Sequence, residues 1–466
     1  MSDNADIALA QRSLARTSLT FPQELVDWTI DFLHNDKATL RACSLVQRRW
    51  LSTSSFHLFS CFKWPRCGCH WARGRGSLQD TCECSRLLGQ SKTLDELKSL
   101  LESSPRMREN VQELLITFTL IWHGRTLLRR VTSTQEIIDI LDLLPHIRSL
   151  ELHHLQFLPD EVPTIVSTPR LSLPSLRLAR LGASVVSQDI FNLLSCFRHI
   201  STLSFYQTDL LFEPSGTLLH QPPPLGLETL GLTFSNNDAT EFWIDKVCSY
   251  LDVTSLTTLS IRAPIDDMVN NVVVASPALH ALLLRCTALR SLVCCGSIPR
   301  GLLTYQHACP TLRELRIVRH IIVGRTSTGP PWAKIQNLMG TPLAAAIRDV
   351  TFEMNLANYV EPDEPNPDAS ALERRFRQLL EGLDWTPVAA VVRRLRSVVI
   401  NMEMKLWKLV READEDNEST HIYNKQLSWE GDRQRYRAVL EGIVKERVPL
   451  SSHQRFDVHI SLSEIP

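Results

Sequence analysis

The side chains with the plainest capacity for chemistry lie between residues 61 and 84: Cys61, Cys67-Gly68-Cys69-His70 and Cys82-Glu83-Cys84. The two C-x-C pairs offer four thiolates, from Cys67, Cys69, Cys82 and Cys84, to a tetrahedral Zn²⁺, with His70 as a substitute ligand. A one-residue gap brings both sulfurs of a pair to one metal less easily than the usual two-residue gap. Two readings therefore stay open, a structural zinc and a surface loop of incidental thiols. Arg66, Arg73 and Arg75 lie among Trp64, Trp71, Gly74 and Gly76, but three cations in one loop are a weak footprint for RNA.

Other chemistry finds no support in the order of residues. G-x-x-x-x-G-K-[ST], G-x-S-x-G, H-E-x-x-H and G-x-G-x-x-G do not occur, so no phosphate cradle, nucleophile elbow or metalloprotease helix is indicated. The 15 His are scattered, and a pair such as His153-His154 at a strand end reads as surface rather than as a general base. The expectation is a protein that is not an enzyme.

The chain that must position these groups has 466 residues, 50 Lys and Arg against 51 Asp and Glu, and a formal charge of −1. No global field draws it to nucleic acid or to an anionic membrane, so neither is expected as a partner. With 44% apolar and 22% charged residues it has the composition of a folded domain. The 71 leucines are about 15% of the chain, a first sign of a repeated Leu-lined core. Residues 1–20, expected to be a flexible lead-in, lack a basic head followed by an apolar core, and no stretch reaches the ~20 apolar residues of a bilayer span. A cytoplasmic or nuclear location is expected, where most of the 12 Cys would be reduced thiols.

Phe21-Pro22 opens the first strong pattern, because Pro suits the first turn of a helix and Glu24 complements its dipole. Leu25, Trp28, Phe32 and Leu33 follow at i, i+3, i+7 and i+8, the spacing of one buried helical face. His34-Asn35-Asp36-Lys37 breaks the helix. Leu40, Cys43, Val46 and Trp50 begin a second helical pattern, bent near Gln47, with Arg48 and Arg49 facing solvent. A helical unit of 21–60 is small for a self-sufficient core, so its apolar face should be covered by a partner or by the rest of the chain.

These residues resemble the F-box motif: an apolar-Pro opening at Phe21-Pro22-Gln23-Glu24-Leu25, spaced Ile30, Leu33 and Leu40, and a closing Leu45-Val46-Gln47-Arg48-Arg49-Trp50. Phe21 stands where Leu is usual. The resemblance covers residues 20–60, under a tenth of the chain. It implies that Phe21, Pro22, Leu25, Ile30, Leu33, Leu40, Leu45, Val46 and Trp50 divide between an internal core and a face docking on a Skp-type adaptor and, through it, a cullin. The plainer alternative is the N-terminal helices of an α-rich domain.

After a Cys/Gly-rich loop at 61–90, residues 91–466 repeat the template apolar-x-x-apolar-x-apolar. It appears from Val111, Ile147, Ile200, Leu227, Leu256, Leu289, Leu312, Ile347 and Leu395, with one further copy of ambiguous register near Leu176. Segments such as 185–196, 241–251, 278–284 and 301–308 are long enough for a short helix between copies. The pattern resembles a degenerate leucine-rich-repeat solenoid, with parallel strands on a concave face and helices outside. An ordinary α/β domain is the alternative. Residues 361–368 alternate Pro with acid and forbid regular structure, 372–380 looks helical, Arg411 to Glu418 is a charged interruption, and Phe456 to Ile460 supplies a last strand.

The expected fold is therefore α/β, an N-terminal helical F-box module followed by an irregular solenoid. Alternation along each strand places Glu151, Ser204, Gly231, Ser260, Val293, Arg316, Thr351 and Val399 on the concave side, a ladder mixed in sign and mostly small. Two functions compete. Resemblance to F-box proteins with leucine-rich repeats, a kind abundant in fungi, implies the substrate-recognition subunit of an SCF-type ubiquitin ligase that holds an unknown protein substrate beside the ubiquitin-loaded enzyme. The alternative is a non-catalytic leucine-rich-repeat scaffold or inhibitor whose helical start is its cap. A cap would bury its whole apolar face; a docking module must leave some exposed.

Overall fold

The computed structural model describes residues 22–64, 94–117, 121–123, 126–128, 131–153, 156–157, 171–179, 190, 193–206, 225–233, 251–262, 277–296, 298, 300–323, 331–360, 369–382, 395–413, 420–426, 433–448 and 455–462. They divide into two compact units. The first holds the described residues up to Trp64 together with those of 93–115 and 137–148, so it recruits chain well beyond residue 60.

In the first unit, helix α1 (Gln23–Phe32) begins after Pro22, whose φ of −52° and ψ of 138° hold it just outside the helix. Helix α2 (Lys37–Val46) starts at Asp36, whose Oδ1 accepts from Ala38 N at 3.1 Å and Thr39 N at 3.0 Å, satisfying two of the orphan donors of the first turn. The bend expected near Gln47 is a full break: Gln47 is extended, and α3 (Arg48–Phe59) begins after it. Strand β1 (Cys61–Trp64), helix α4 (Leu94–Ser103), helix α5 (Pro105–Asn110, with Pro at its start) and strand β2 (Glu113–Thr117), which the division of the units crosses after Leu115, follow. Arg48 and Arg49 are exposed.

Val26, Ile30 and Leu40 form the buried centre of α1 to α3, with Leu33, Trp50 and Leu58 packed against it. This corrects the expected helical face. The buried stripe of α1 runs through Val26, Ile30 and Leu33, whereas Leu25, Trp28 and Phe32 point away from it into solvent.

The second unit is built on a large parallel sheet. After helix α6 (Thr134–Asp142), which the division of the two units crosses, come strands β3 (Ser149–His153), β4 (Leu171–Ala179), β5 (Phe197–Tyr206), β6 (Thr229–Thr233) and β7 (Thr258–Arg262). Helix α7 (Pro277–Arg285) leads to β8 (Ser291–Cys295) and β9 (Glu314–Val323); helix α8 (Pro331–Met339) leads to β10 (Asp349–Val360); helix α9 (Ala369–Gly382) leads to β11 (Ser397–Ala413). The chain closes with β12 (Thr420–Gln426), α10 (Arg433–Arg447) and β13 (Arg455–Leu462). Strands β3 to β11 lie in sequence order, each parallel to the next, and β11 then pairs with β13 in parallel and with β12 antiparallel.

The register explains why every copy begins with the same apolar spacing. Leu150, Leu176, Leu203, Leu230, Leu259, Leu292, Leu315, Val350 and Val398 are partners across successive strands, and all are buried. Two residues on, Leu152, Leu178, Phe205, Leu232, Ile261, Cys294, Ile317, Phe352 and Ile400 make a second buried row. Parallel neighbours need a returning crossover, and the buried Leu279, Leu282 and Leu283 of α7 show one such return packed by its apolar side. At the end of β8, Gly296 takes φ 78°, a left-handed conformation that Gly adopts without a Cβ penalty, and its N–H reaches Val318 O at 2.8 Å.

Three sequence expectations change. Leu173 pairs with Ile200, so the ambiguous copy starts at Leu173 rather than Leu176. Arg411 does not open an interruption, because β11 continues to Ala413 and pairs there with β12, an antiparallel strand that the repeat pattern did not announce. The segment 301–308 holds only a four-residue helix, Arg300–Leu303. Residues 361–368 and 241–250, Phe21, and the whole loop carrying Cys67, Cys69, Cys82 and Cys84 lie outside the described residues.

Candidate functional site

Two surfaces carry the expected site residues, one in each unit. The first is made by α1 to α3. Gln23 Nε2 donates to Arg49 O at 3.3 Å, Thr53 Oγ1 donates to Asp27 Oδ1 at 2.5 Å, and His57 Nε2 lies 2.7 Å from Asp31 Oδ1. Residues 23, 27 and 31 of α1 thus meet 49, 53 and 57 of α3 in the same order, a polar seam one helical turn per step. With this seam on one side and Val26, Ile30 and Leu33 turned to the core, the row Leu25, Trp28, Phe32 is left facing out.

The exposures are large for apolar side chains: Leu25 44%, Trp28 62%, Phe32 68%, Leu45 87% and Val46 60%. Trp28 and Phe32 meet edge to face, their ring centroids 4.8 Å apart at 83°. Of the nine residues singled out by the F-box resemblance, Ile30 and Leu40 are core, Leu33 and Trp50 pack on it, and Pro22, Leu25, Leu45 and Val46 are exposed. The sequence reading missed Trp28 and Phe32 as surface residues. The available signal was that α1 carries two apolar stripes, 25/28/32 and 26/30/33, of which a single small core can take only one.

The second surface is the outward face of the sheet. The expected ladder is assembled in register: Glu151, Arg177, Ser204, Gly231, Ser260, Val293, Arg316, Thr351 and Val399 are successive cross-strand partners. None of them is buried. Arg177 enters because its strand's register is now fixed. Its Nε lies 3.2 Å from Glu151 Oε1, which also lies 2.5 Å from His153 Nε2.

Two residues further along the strands a second row shares this face, and Tyr206, Arg262, Cys295 and Glu353 stand in it. The guanidinium carbons of Arg177 and Arg262 lie 5.2 Å and 5.3 Å from the centroid of the Tyr206 ring. Arg316 Nη2 pairs with Glu353 Oε2 at 2.7 Å. Burial pushes the Cys295 thiol up, against the opposing pull of Arg262, Arg316 and a hydrogen bond with Ser260. Gly231 keeps the floor low: a Cβ there would stand 2.8 Å from Ser204 Oγ. This second row was readable as the i+2 neighbours of Ser204, Ser260, Val293 and Thr351.

A third alignment was also missed. Arg313 N donates to Arg290 O at 2.8 Å, Arg348 N to Arg313 O at 2.9 Å and Arg396 N to Arg348 O at 2.8 Å. Four exposed arginines therefore stand on neighbouring chain segments at the strand starts. Arg396 forms a two-point pair with Asp349, at 3.2 and 3.1 Å. The signal was Arg immediately after the first apolar residue of those repeats.

Among the described residues no group of three or more His, Cys, Asp or Glu is arranged to hold a metal ion, and no helix is long and apolar enough to cross a membrane. No protein-family model matches this sequence, and no curated protein matches it.

Proposed function

We propose that this protein is the substrate-recognition subunit of an SCF-type ubiquitin ligase, docking on a Skp-type adaptor through α1 to α3 and holding a protein substrate on the outward face of a leucine-rich-repeat-like sheet. The observation that carries the reading is the inversion of α1: polar side chains tie it to α3, while Leu25, Trp28 and Phe32 face solvent. A cap serving only its own repeats would turn that row inward. Burying side chains of this size is worth about 1.5–3 kcal/mol each, so the row costs solubility unless a partner covers it.

The sheet supports the receptor half of the reading. Its inner rows are uniformly apolar, and its outer rows vary from strand to strand in charge and size. A regular scaffold under a variable surface suits recognition of a specific partner. The ligase role needs no nucleophile from this chain; it raises the effective concentration of a substrate lysine beside a thioester carried elsewhere.

The test is copurification of the adaptor with the full-length chain, and with Trp28→Ala/Phe32→Ala. Adaptor retained by the parent and lost by the variant is expected. No adaptor on the parent chain, or undiminished adaptor on the variant, sinks the proposal.

A further inference from the structure

A cavity of about 670 Å³ opens between two connecting segments of the second unit, 303–306 ahead of β9 and 336–342 between α8 and β10. Its volume is that of a small-molecule site. None of its lining residues belongs to α1 to α3 or to the outward ladder, so it is separate from both surfaces of the proposed receptor. The lining holds no Lys, Arg, His, Asp or Glu. Its polar side chains are carboxamides and hydroxyls, led by Gln306 on one wall and by Gln336 and Asn337 on the other. The backbone at the end of α8 is already satisfied: Gln336 O and Asn337 O accept from Gly340 N at 3.0 and 3.1 Å, and Leu338 O accepts from Thr341 N at 3.0 Å and from Thr341 Oγ1 at 2.7 Å. The three side-chain amides, by contrast, are exposed, and each offers two donor hydrogens and an acceptor. The half-buried Leu303 and Met339 add apolar surface. Tyr305 offers no face for stacking, because its ring is 2% exposed and meets the His280 and His307 rings edge to face at 5.3 and 5.6 Å.

We propose that this cavity binds a neutral mono- or disaccharide through the Gln306, Gln336 and Asn337 amides. An uncharged lining leaves a phosphate, carboxylate or ammonium without a counter-ion once it is desolvated, which selects against nucleotides, acidic metabolites and amines. A flat aromatic ligand such as a nucleobase draws much of its binding from stacking, and both edge-to-face neighbours of Tyr305 deny it that. A pyranose ring presents what the walls match. Its hydroxyls each donate and accept, as a carboxamide does, and its C–H faces suit Leu303 and Met339. The same chemistry is carried by a free sugar and by a sugar linked to a protein side chain. The inference does not rest on the receptor reading, since neither receptor surface contributes a lining residue.

The test places the full-length chain on an array of neutral glycans and follows each bound sugar by calorimetry, free and carried on a peptide. At least one neutral sugar should bind. Gln336→Ala/Asn337→Ala and Gln306→Ala, on opposite walls, should each weaken it about tenfold, while Arg437→Gln on α10 should not. The substituted amides are exposed, so melting temperature should be unchanged in both variants. A nucleoside, a sugar phosphate and a uronic acid should bind at least tenfold more weakly than the neutral sugar. Absence of binding across the array, undiminished binding by either amide variant, or preference for the nucleoside or a charged sugar overturns the proposal. A sugar that binds when free identifies a soluble saccharide as the ligand, and one that binds only on the peptide identifies a glycosylated protein; both uphold the site. Adaptor copurification is measured in parallel, and its loss removes the ligase role without altering the sugar result.

Discussion

Asp27 Oδ1 accepts from Gln23 Nε2 at 2.8 Å and from Thr53 Oγ1 at 2.5 Å, so one carboxylate oxygen of α1 is its central tie to α3. Asp27→Ala leaves a half-buried hydroxyl and amide without that acceptor, at a cost of about 1–3 kcal/mol. It should lower the melting temperature and weaken adaptor binding together, because the row 25/28/32 is aimed by this seam. Asp27→Asn retains an acceptor oxygen and should recover much of both. A melting temperature unmoved by Asp27→Ala would show that the seam does not hold the helix.

Docking and folding separate cleanly on α1. Trp28→Ala/Phe32→Ala should leave stability within about 0.5 kcal/mol, as for ordinary surface changes, while costing the adaptor interaction about 2–4 kcal/mol. Ile30→Ala or Leu40→Ala should cost about 2–5 kcal/mol of folding stability through the cavity left in the small core. Leu33→Ala and Trp50→Ala are poorer probes, since both side chains pack on Val26, Ile30 and Leu40 and weaken the fold itself. Calorimetry of the chain beside adaptor titration distinguishes the two classes. A large drop in stability from Trp28→Ala/Phe32→Ala would mean that the row is covered by the protein itself.

The sheet was more legible in the sequence than the helices, for a physical reason. A repeated apolar-x-x-apolar-x-apolar spacing has only one register that keeps every Leu on the same side, and Leu150 to Leu315 obey it. A helix with two apolar stripes has two self-consistent solutions, and the deciding contacts are Gln23 to Arg49, Asp27 to Thr53 and Asp31 to His57. Each joins residues 26 apart, beyond any local pattern. The outward ladder from Glu151 to Val399 followed from alternation alone, whereas the Arg177, Tyr206 and Arg262 cluster depends on side chains that cross between strands. Strand β12 escaped because it pairs in the opposite direction and repeats no template.

Strand alternation makes neighbouring residues of β7 respond oppositely to truncation. Leu259 is fully buried between Leu230 and Leu292, and Leu259→Ala should cost about 2.7–5 kcal/mol, depending on how far the site collapses. Ser260 faces out, and Ser260→Ala should cost no more than about 1 kcal/mol. Urea denaturation of the two variants measures both. Equal destabilisation would contradict a sheet with one buried and one outward face.

The cap of α2 predicts an acid-side dependence of its stability. Asp36 Oδ2 accepts from Thr39 Oγ1 at 2.6 Å, and its Oδ1 accepts from the Thr39 and Ala38 amides. The Thr39 hydroxyl, then the Thr39 amide, hold the Asp36 carboxyl below its ordinary value. The unfolded chain lacks these donors and binds a proton near the usual pH of about 3.9. Stability from the cap is therefore fully present above that pH and is lost as pH falls through the lower folded value. Protection of the Ala38 and Thr39 amides, measured against their intrinsic exchange at each pH, should fall on acidification below about pH 4, ahead of the core of α2 at Leu40 and Cys43. Asp36→Asn keeps an acceptor for the amides but has no proton to gain. Its protection should be somewhat lower at neutral pH and flat through the acid range. Identical acid profiles for Asp36→Asn and the parent chain would assign the loosening to other carboxylates and remove Asp36 as its cause.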